Sequence, residues 1–399
     1  MKIYVPYADA KVFLGNAFSP DQLHVVTDND IPMPGDVLIS HTEWEDEFRG
    51  MISSARARGC KTVLLADGVF EWRNTFEHPP RMSFKHDFQV YHPIHAEYFL
   101  AIGEQQAELI QHFNPDTRVM ILGAPRLDGL VSHYLETEHV ATSDAESLRI
   151  FVATALTPGF QQRDSSLALQ AIEDLKQVGP ELEKVCGRSV EFIWRVSPRI
   201  VAETSLTEEE AATGSGDLRA LIEQADCVVS TPSTLLLEAM LCRKRAVMID
   251  YTDAPNMPYC AWQIRRPEQL VNCLADALIG NDAKLAMQDY LLSKNLCLEP
   301  EASRRLSDIL HALPGDDALS MGCAHRRDNP AEPIPMTVAK WEYMLVQEAN
   351  RMRLRAERLN EKNSLLEEAV ERLEQKLQKE TARRKKVPIW IRYLCGGES

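Results

Sequence analysis

For roughly 310 residues, short apolar runs alternate with amphipathic stretches, the arrangement of βαβ units that build parallel sheets. In the first part the runs at 2–5, 23–26, 36–40, 62–66, 98–102 and 118–122 are brief and rich in Val, Ile or Leu. That is the composition of strands covered on both faces. Helical spacing of apolar positions falls between them, over 45–58 and 104–113. The chain turns polar across 135–147, and a fresh series then begins. Its strands are expected at 148–153, 191–196, 226–230 and 246–251, and its helices at 165–178, 217–224 and 233–241. The pattern predicts an α/β fold of two Rossmann-like parallel-sheet domains, 1–140 and 141–312, facing a cleft. Ligands of such sheets bind beyond the C-terminal ends of the strands.

Residues 313–338 contain PGDD, SMGCAHRRDNP and AEPIP, an aperiodic linker. A coiled coil is expected over 339–386. Leu345, Met352, Leu359, Leu366 and Leu373 stand seven apart, with Ala349, Ala356, Asn363, Val370 and Leu377 as the companion series. Leucine-type residues at d and a single Asn at a are the pattern of a parallel homodimer. The two Ala positions leave a trimer open, and a single charged helix is the plainer alternative. The tail, 387–399, follows four cations at 383–386 and carries Ile389, Trp390, Ile391, Tyr393 and Leu394. Such a segment suits an anionic membrane surface, and equally a partner-docking peptide or a frayed end.

Composition narrows the class. With 45% hydrophobic and 26% charged residues the chain is globular rather than disordered. A net charge of −15 argues against a general nucleic-acid binder. The nine cysteines contain no CxxC pair, which points to reduced thiols in the cytoplasm and away from zinc. No metal or other cofactor is expected. The start of the chain lacks the apolar core of a signal peptide, and no run of about 18 apolar residues would span a membrane. The expected location is cytoplasmic, with the tail able to reach the inner face of the cytoplasmic membrane.

Candidate chemistry collects at strand ends. The run at 62–66 ends on Asp67-Gly68, where a carboxylate points into the cleft and Gly permits a sharp turn. Asp67 or Glu71 is the candidate base, and Trp72, Arg73 and Asn74 add recognition capacity; helix capping or a turn is the ordinary role for such an Asp. His41 and Glu43 follow the run at 36–40 and are placed in the same cleft, with Arg126 beyond 118–122. In the second series, Arg195, Ser197 and Arg199 leave a strand with two guanidinium groups and a hydroxyl suited to a phosphate. Ser230, Thr231, Ser233 and Thr234 stand where the next strand meets a helix, an anion site by their hydroxyls and free N–H groups, or an ordinary N-cap cluster. Pro232 is expected in the first turn of that helix. Glu238, one turn on, is placed to hold ribose hydroxyls or to face solvent.

Taken together these spots resemble a GT-B glycosyltransferase of the branch that uses cytidine-nucleotide donors, which includes bacterial sialyltransferases, Kdo transferases of capsule and lipopolysaccharide assembly, and CDP-glycerol polymerases. The resemblance covers roughly residues 1–310. Asp67-Gly68 resembles the family's acidic-Gly motif, whose carboxylate serves as acceptor base. Gly123-Ala124-Pro125-Arg126-Leu127-Asp128 is similar to its Gly-x-Pro-Arg-x-Asp segment, and 225–239 to the segment whose Ser pair binds the donor phosphate. The resemblance implies transfer of a Kdo- or sialic-type acidic sugar from a CMP donor to a cell-surface glycan or lipid-linked acceptor. A glycerophosphotransferase or a UDP-sugar enzyme on the same fold is the alternative, and a non-catalytic coiled-coil assembly protein with a degenerate body is another. The family's Lys-x-His-Pro is Arg195-Val196-Ser197-Pro198 here. Serine cannot act as proton donor near neutral pH, so Arg195, Arg199 and the helix N-terminus would have to stabilise the leaving group. A carboxylate nucleophile with retained configuration also stays open.

Overall fold

The computed structural model describes residues 1–43, 45–71, 91–137, 147–154, 162–252 and 257–315. Trp72, Arg73 and Asn74, the boundary at 140, the linker from 316, the coiled coil and the tail lie outside them.

The first sheet is wholly parallel and contains β1 (Ile3–Val5), β2 (Leu23–Val25), β3 (Val37–Ser40), β4 (Lys61–Leu65), β5 (Tyr98–Ala101) and β6 (Arg118–Ile121), in the order β2-β1-β3-β4-β5-β6. Every residue of β3 and β5 is buried, so their apolar runs are continuous rather than alternating. The helix Asp46–Ala57 begins with Asp46 and Glu47 and ends with Arg56, charges that complement its dipole, and it buries Ile52 and Ala55.

The second sheet, also parallel, contains β7 (Ser147–Ala153), β8 (Ser189–Arg195), β9 (Cys227–Ser230), β10 (Arg245–Ile249) and β11 (Trp262–Ile264), in the order β11-β10-β9-β7-β8. Strand β11 has no counterpart in the sequence reading, because three residues with Gln263 in the middle make no apolar run. Each sheet reverses its direction of winding once. The reversal lies between β1 and β3 in the first sheet and between β7 and β9 in the second. Crevices beyond the strand ends at such switch points are where open α/β sheets hold ligands.

The two domains share buried apolar surface. One continuous cluster runs from Tyr4, Leu64 and Phe99 through Leu127 and Val131 to Leu236, Met240 and Leu292. Lys294 Nζ also pairs with Glu104 Oε2 across the same boundary at 2.6 Å.

One division differs from the sequence reading. The helix Ala302–Ala312, assigned there to the second domain, packs on the first sheet: Leu306, Ile309 and Leu310 are buried with Ile3, Val37 and Val63. Asp128 fixes its start, accepting the N–H groups of Ala302 and Ser303 at 2.8 Å each. An apolar stripe specifies that a helix is buried but not which sheet buries it. Among the described residues no helix is long and apolar enough to cross a membrane.

Candidate functional site

Asp67 stands two residues past β4, half-buried, and burial pushes its carboxyl pKa up while the Arg126 guanidinium pulls it down. Glu71 is half-buried four residues on. Gly68 is buried because the second domain reaches it. A Cβ on Gly68 would lie 2.1 Å from Thr234 Oγ1 and 3.2 Å from Arg126 Nη2. The Val69 N–H donates to Thr234 Oγ1 at 3.1 Å, and Gln106 Nε2 donates to the Gly68 carbonyl. Gln106 is itself buried and held by the Ile102 N–H at 3.1 Å. The two residues after the base candidate, Gly68 and Val69, thus meet Thr234 of the second domain directly.

Arg126 ties the two carboxylates of this boundary together. Its Nη1 lies 3.9 Å from Glu238 Oε1, and Glu238, like Asp67, has its pKa raised by burial and lowered by Arg126. One cation shared by two desolvated carboxyls leaves the group short of positive charge when both ionise.

The hydroxyl cluster is arranged differently from the expected cap. The helix runs Leu235–Leu241, with Thr234 at its N-cap in helical conformation and no side-chain capping bond. Pro232 therefore stands ahead of the helix rather than in its first turn. Ser230, fully buried at the end of β9, and Ser233 bond to each other through their hydroxyls at 2.9 Å. Thr231 is buried beside them. These residues lie at the switch point of the second sheet, next to the end of β7, where Ala153 is in register with Ser230.

The third group sits at the end of β8. Ser197 caps the short helix Pro198–Glu203, accepting the Ile200 N–H at 3.4 Å. Arg195 donates from Nη1 to the Gly216 carbonyl at 3.0 Å. Arg199 pairs with Glu203 at 2.8 Å in an exposed i,i+4 ion pair. All three thus hold structural partners of their own. The guanidinium of Arg195 has five N–H donors, so its Nη1 contacts with the Gly214 and Gly216 carbonyls do not exhaust it.

His41 and Glu43 are buried, and each has a local partner. The Tyr7 hydroxyl is 2.8 Å from His41 Nε2, and Phe13 stacks on the imidazole at 3.8 Å between centroids. Burial lowers the His41 pKa to about 4, so the ring is neutral at pH 7. Glu43 accepts the N–H groups of His95 (3.0 Å) and Ala96 (3.2 Å), and burial pushes its pKa up to about 7. Glu43 is thus a clasp on the segment that enters β5.

Three residues at this edge escaped the sequence reading: Tyr7, Tyr91 and Gln106. Tyr7 follows β1 at the switch point, and its phenol pKa is raised by burial and by nearby Asp67, so the strand-end rule that selects Asp67 would also select it. Tyr91 places its hydroxyl 3.5 Å from Asp67 Oδ1, and nothing local in the sequence connects positions 67 and 91.

No protein-family model matches the chain, and no curated protein matches it. Among solved structures it is similar to a variant of the wall teichoic acid polymerase TagF, with 11% identity, a TM-score of 0.45, and coverage of 79% of this chain and 89% of that one. A TagF variant soaked with CDPG gives 12% identity and a TM-score of 0.43 over 79% and 89%. The complex of S. aureus MnaA with UDP gives 10% identity and a TM-score of 0.43 over 79% and 97%.

Proposed function

We propose that the chain is a GT-B-type transferase that moves a group from a nucleotide-activated donor, held by the second domain, to a hydroxyl acceptor set against Asp67. The finer reading is a CMP-activated acidic sugar of Kdo or sialic type, delivered to a glycan or lipid-linked acceptor. The observation that carries the proposal is the junction of Gly68 and Val69, the residues just after Asp67, with Thr234 of the hydroxyl cluster, at the C-terminal edges of two parallel sheets. Asp67 takes the acceptor proton as its oxygen attacks. A carboxylate of raised pKa is a better base for that step than an ordinary one. Ser233 and Thr234 donate to the donor phosphate, with the buried Ser230 hydroxyl donating to Ser233 Oγ behind them, and Arg195 and Arg126 offset the charge that develops on the departing nucleotide.

Calorimetric titration with CMP, UMP and CDP tests the donor class directly. CMP should bind at least tenfold more tightly than UMP, and incubation with CMP-sugars, CDP-glycerol and UDP-sugars then identifies the donor consumed. Tighter binding of UMP, or turnover of CDP-glycerol, would move the assignment to the alternative donors. Failure of all three nucleotides to bind at millimolar concentration would overturn the transferase reading.

A further inference from the structure

We infer that Tyr91 is a positioning residue for Asp67, holding one carboxylate oxygen so that the other is presented to the acceptor; the assignment rests on the proposed role of Asp67 as base. Tyr91 has φ 62°, a left-handed conformation that an aromatic side chain seldom adopts. Its surroundings hold it there. The ring is stacked on Phe70 at 4.6 Å between centroids and meets Phe99 edge-on at 5.7 Å. Its carbonyl accepts from Asn114 Nδ2 at 2.9 Å, while Asn114 Oδ1 takes the Ile94 N–H at 3.0 Å. Asn114 is buried at the C-cap of Glu104–Phe113, so the strained residue is anchored to a helix of the first domain.

This support aims the phenol at Asp67 Oδ1, 3.5 Å away, longer than an ordinary hydroxyl–carboxylate hydrogen bond. The contact strengthens when Asp67 ionises, because a hydroxyl bound to a carboxylate is charge-assisted. Burial, with the Asp67 and Glu43 carboxyls nearby, pushes the Tyr91 phenol well above its ordinary pKa, so it keeps its proton at neutral pH. The groups acting on Asp67 are then Tyr91 and Arg126, both favouring the ionised form, and Tyr7, whose phenol feels the same carboxyl.

Tyr91→Phe keeps the ring between Phe70 and Phe99 and removes only the donor. In the full chain it should lower kcat about three- to tenfold with the donor KM unchanged, and move the acid limb of the pH–rate profile to higher pH. Selective 13C labelling of aspartate carboxyls, with Asp67→Asn to assign the signal, reads the same effect without substrate: the Asp67 titration should move to higher pH in Tyr91→Phe. Asn114→Ala, which frees the Tyr91 carbonyl and leaves the hydroxyl, should shift it the same way. An Asp67 titration unchanged in folded Tyr91→Phe would overturn the proposal. A shifted titration in a protein that transfers nothing would leave the positioning intact and sink the transferase reading alone.

Discussion

Thr234 Oγ1 accepts the Val69 N–H at 3.1 Å, a hydrogen bond between the second domain's hydroxyl cluster and the residue two past Asp67. A threonine hydroxyl has one proton and two lone pairs, so Thr234 can hold Val69 and still donate to a phosphate. Thr234→Val removes both functions, and Thr234→Ser keeps both. The valine variant should lose about 1–3 kcal/mol of stability in urea, the cost of an orphaned backbone donor. It should also weaken CMP about tenfold or more, while serine stays close to wild type. Equal behaviour of the two variants would remove Thr234 from the site.

Gly68 is small because Thr234 leaves no room for more. Gly68→Ala puts a methyl 2.1 Å from Thr234 Oγ1 and should cost about 1–3 kcal/mol, as overpacking does. Adding Thr234→Ala removes the nearest atom, so the double variant should recover part of the loss. Additive effects of the two substitutions in equilibrium unfolding would place the domains apart at this point.

Asp67 couples activity to a stability cost. Its folded pKa is raised, so between its unfolded and folded values the native chain holds a proton that the unfolded chain has released. Stability therefore falls as pH rises through that window and stays lower above it. Asp67→Asn should be more stable than wild type at pH 7.5, with the advantage shrinking as pH falls through the ordinary carboxylate range. Turnover should drop about a hundredfold or more while nucleotide affinity holds. Unchanged turnover in this variant, with loss in Glu71→Gln, would transfer the role to Glu71.

His41 and Glu43 should oppose one another. His41, with a folded pKa of about 4 against an ordinary 6.5, costs stability as pH falls from 6.5 to 4. Glu43, at about 7 against 4.5, costs stability as pH rises from 4.5 to 7. Each effect is on the order of 3 kcal/mol at full extent, so between pH 4.5 and 6.5 they largely offset. Glu43→Gln should unmask the histidine. Relative to wild type it should gain about 3 kcal/mol between pH 4.5 and 7.5 in urea titrations. A difference that does not change with pH would mean that Glu43 is ionised throughout.

The heptads at 345–377 are proposed to pair two chains in parallel, with Asn363 facing Asn363 and selecting the dimer. Light scattering should give a dimer for the full chain and a monomer after removal of 339–399, and the shortened form should still bind CMP. Asn363→Ile should raise the thermal stability of the coil and loosen its oligomeric state. A full-length monomer at micromolar concentration would defeat this proposal.

The strands were legible in the sequence because each is a short apolar run, buried throughout in β1, β3, β5, β9 and β10, and β1 to β10 fall within two residues of their predicted limits. The position of Asp67, Ser230 and Thr234 at C-terminal strand ends, where polar residues of a parallel sheet can face a ligand, was legible from the same runs. What the local pattern could not decide is which surfaces meet. The stripe of Leu306, Ile309 and Leu310 requires burial on some sheet, and only the folded chain sends it back to the first. Likewise the capping bond of Ser197, which was expected at a phosphate, exists because the chain turns into Pro198–Glu203 immediately after it. Tyr91 reaches Asp67, and Arg126 reaches Glu238, through side-chain positions set by packing across 24 residues in one case and across two domains in the other. Periodicity reports how a residue sits relative to its own element. Contact between elements depends on how whole faces dock, and that information is spread over the entire chain.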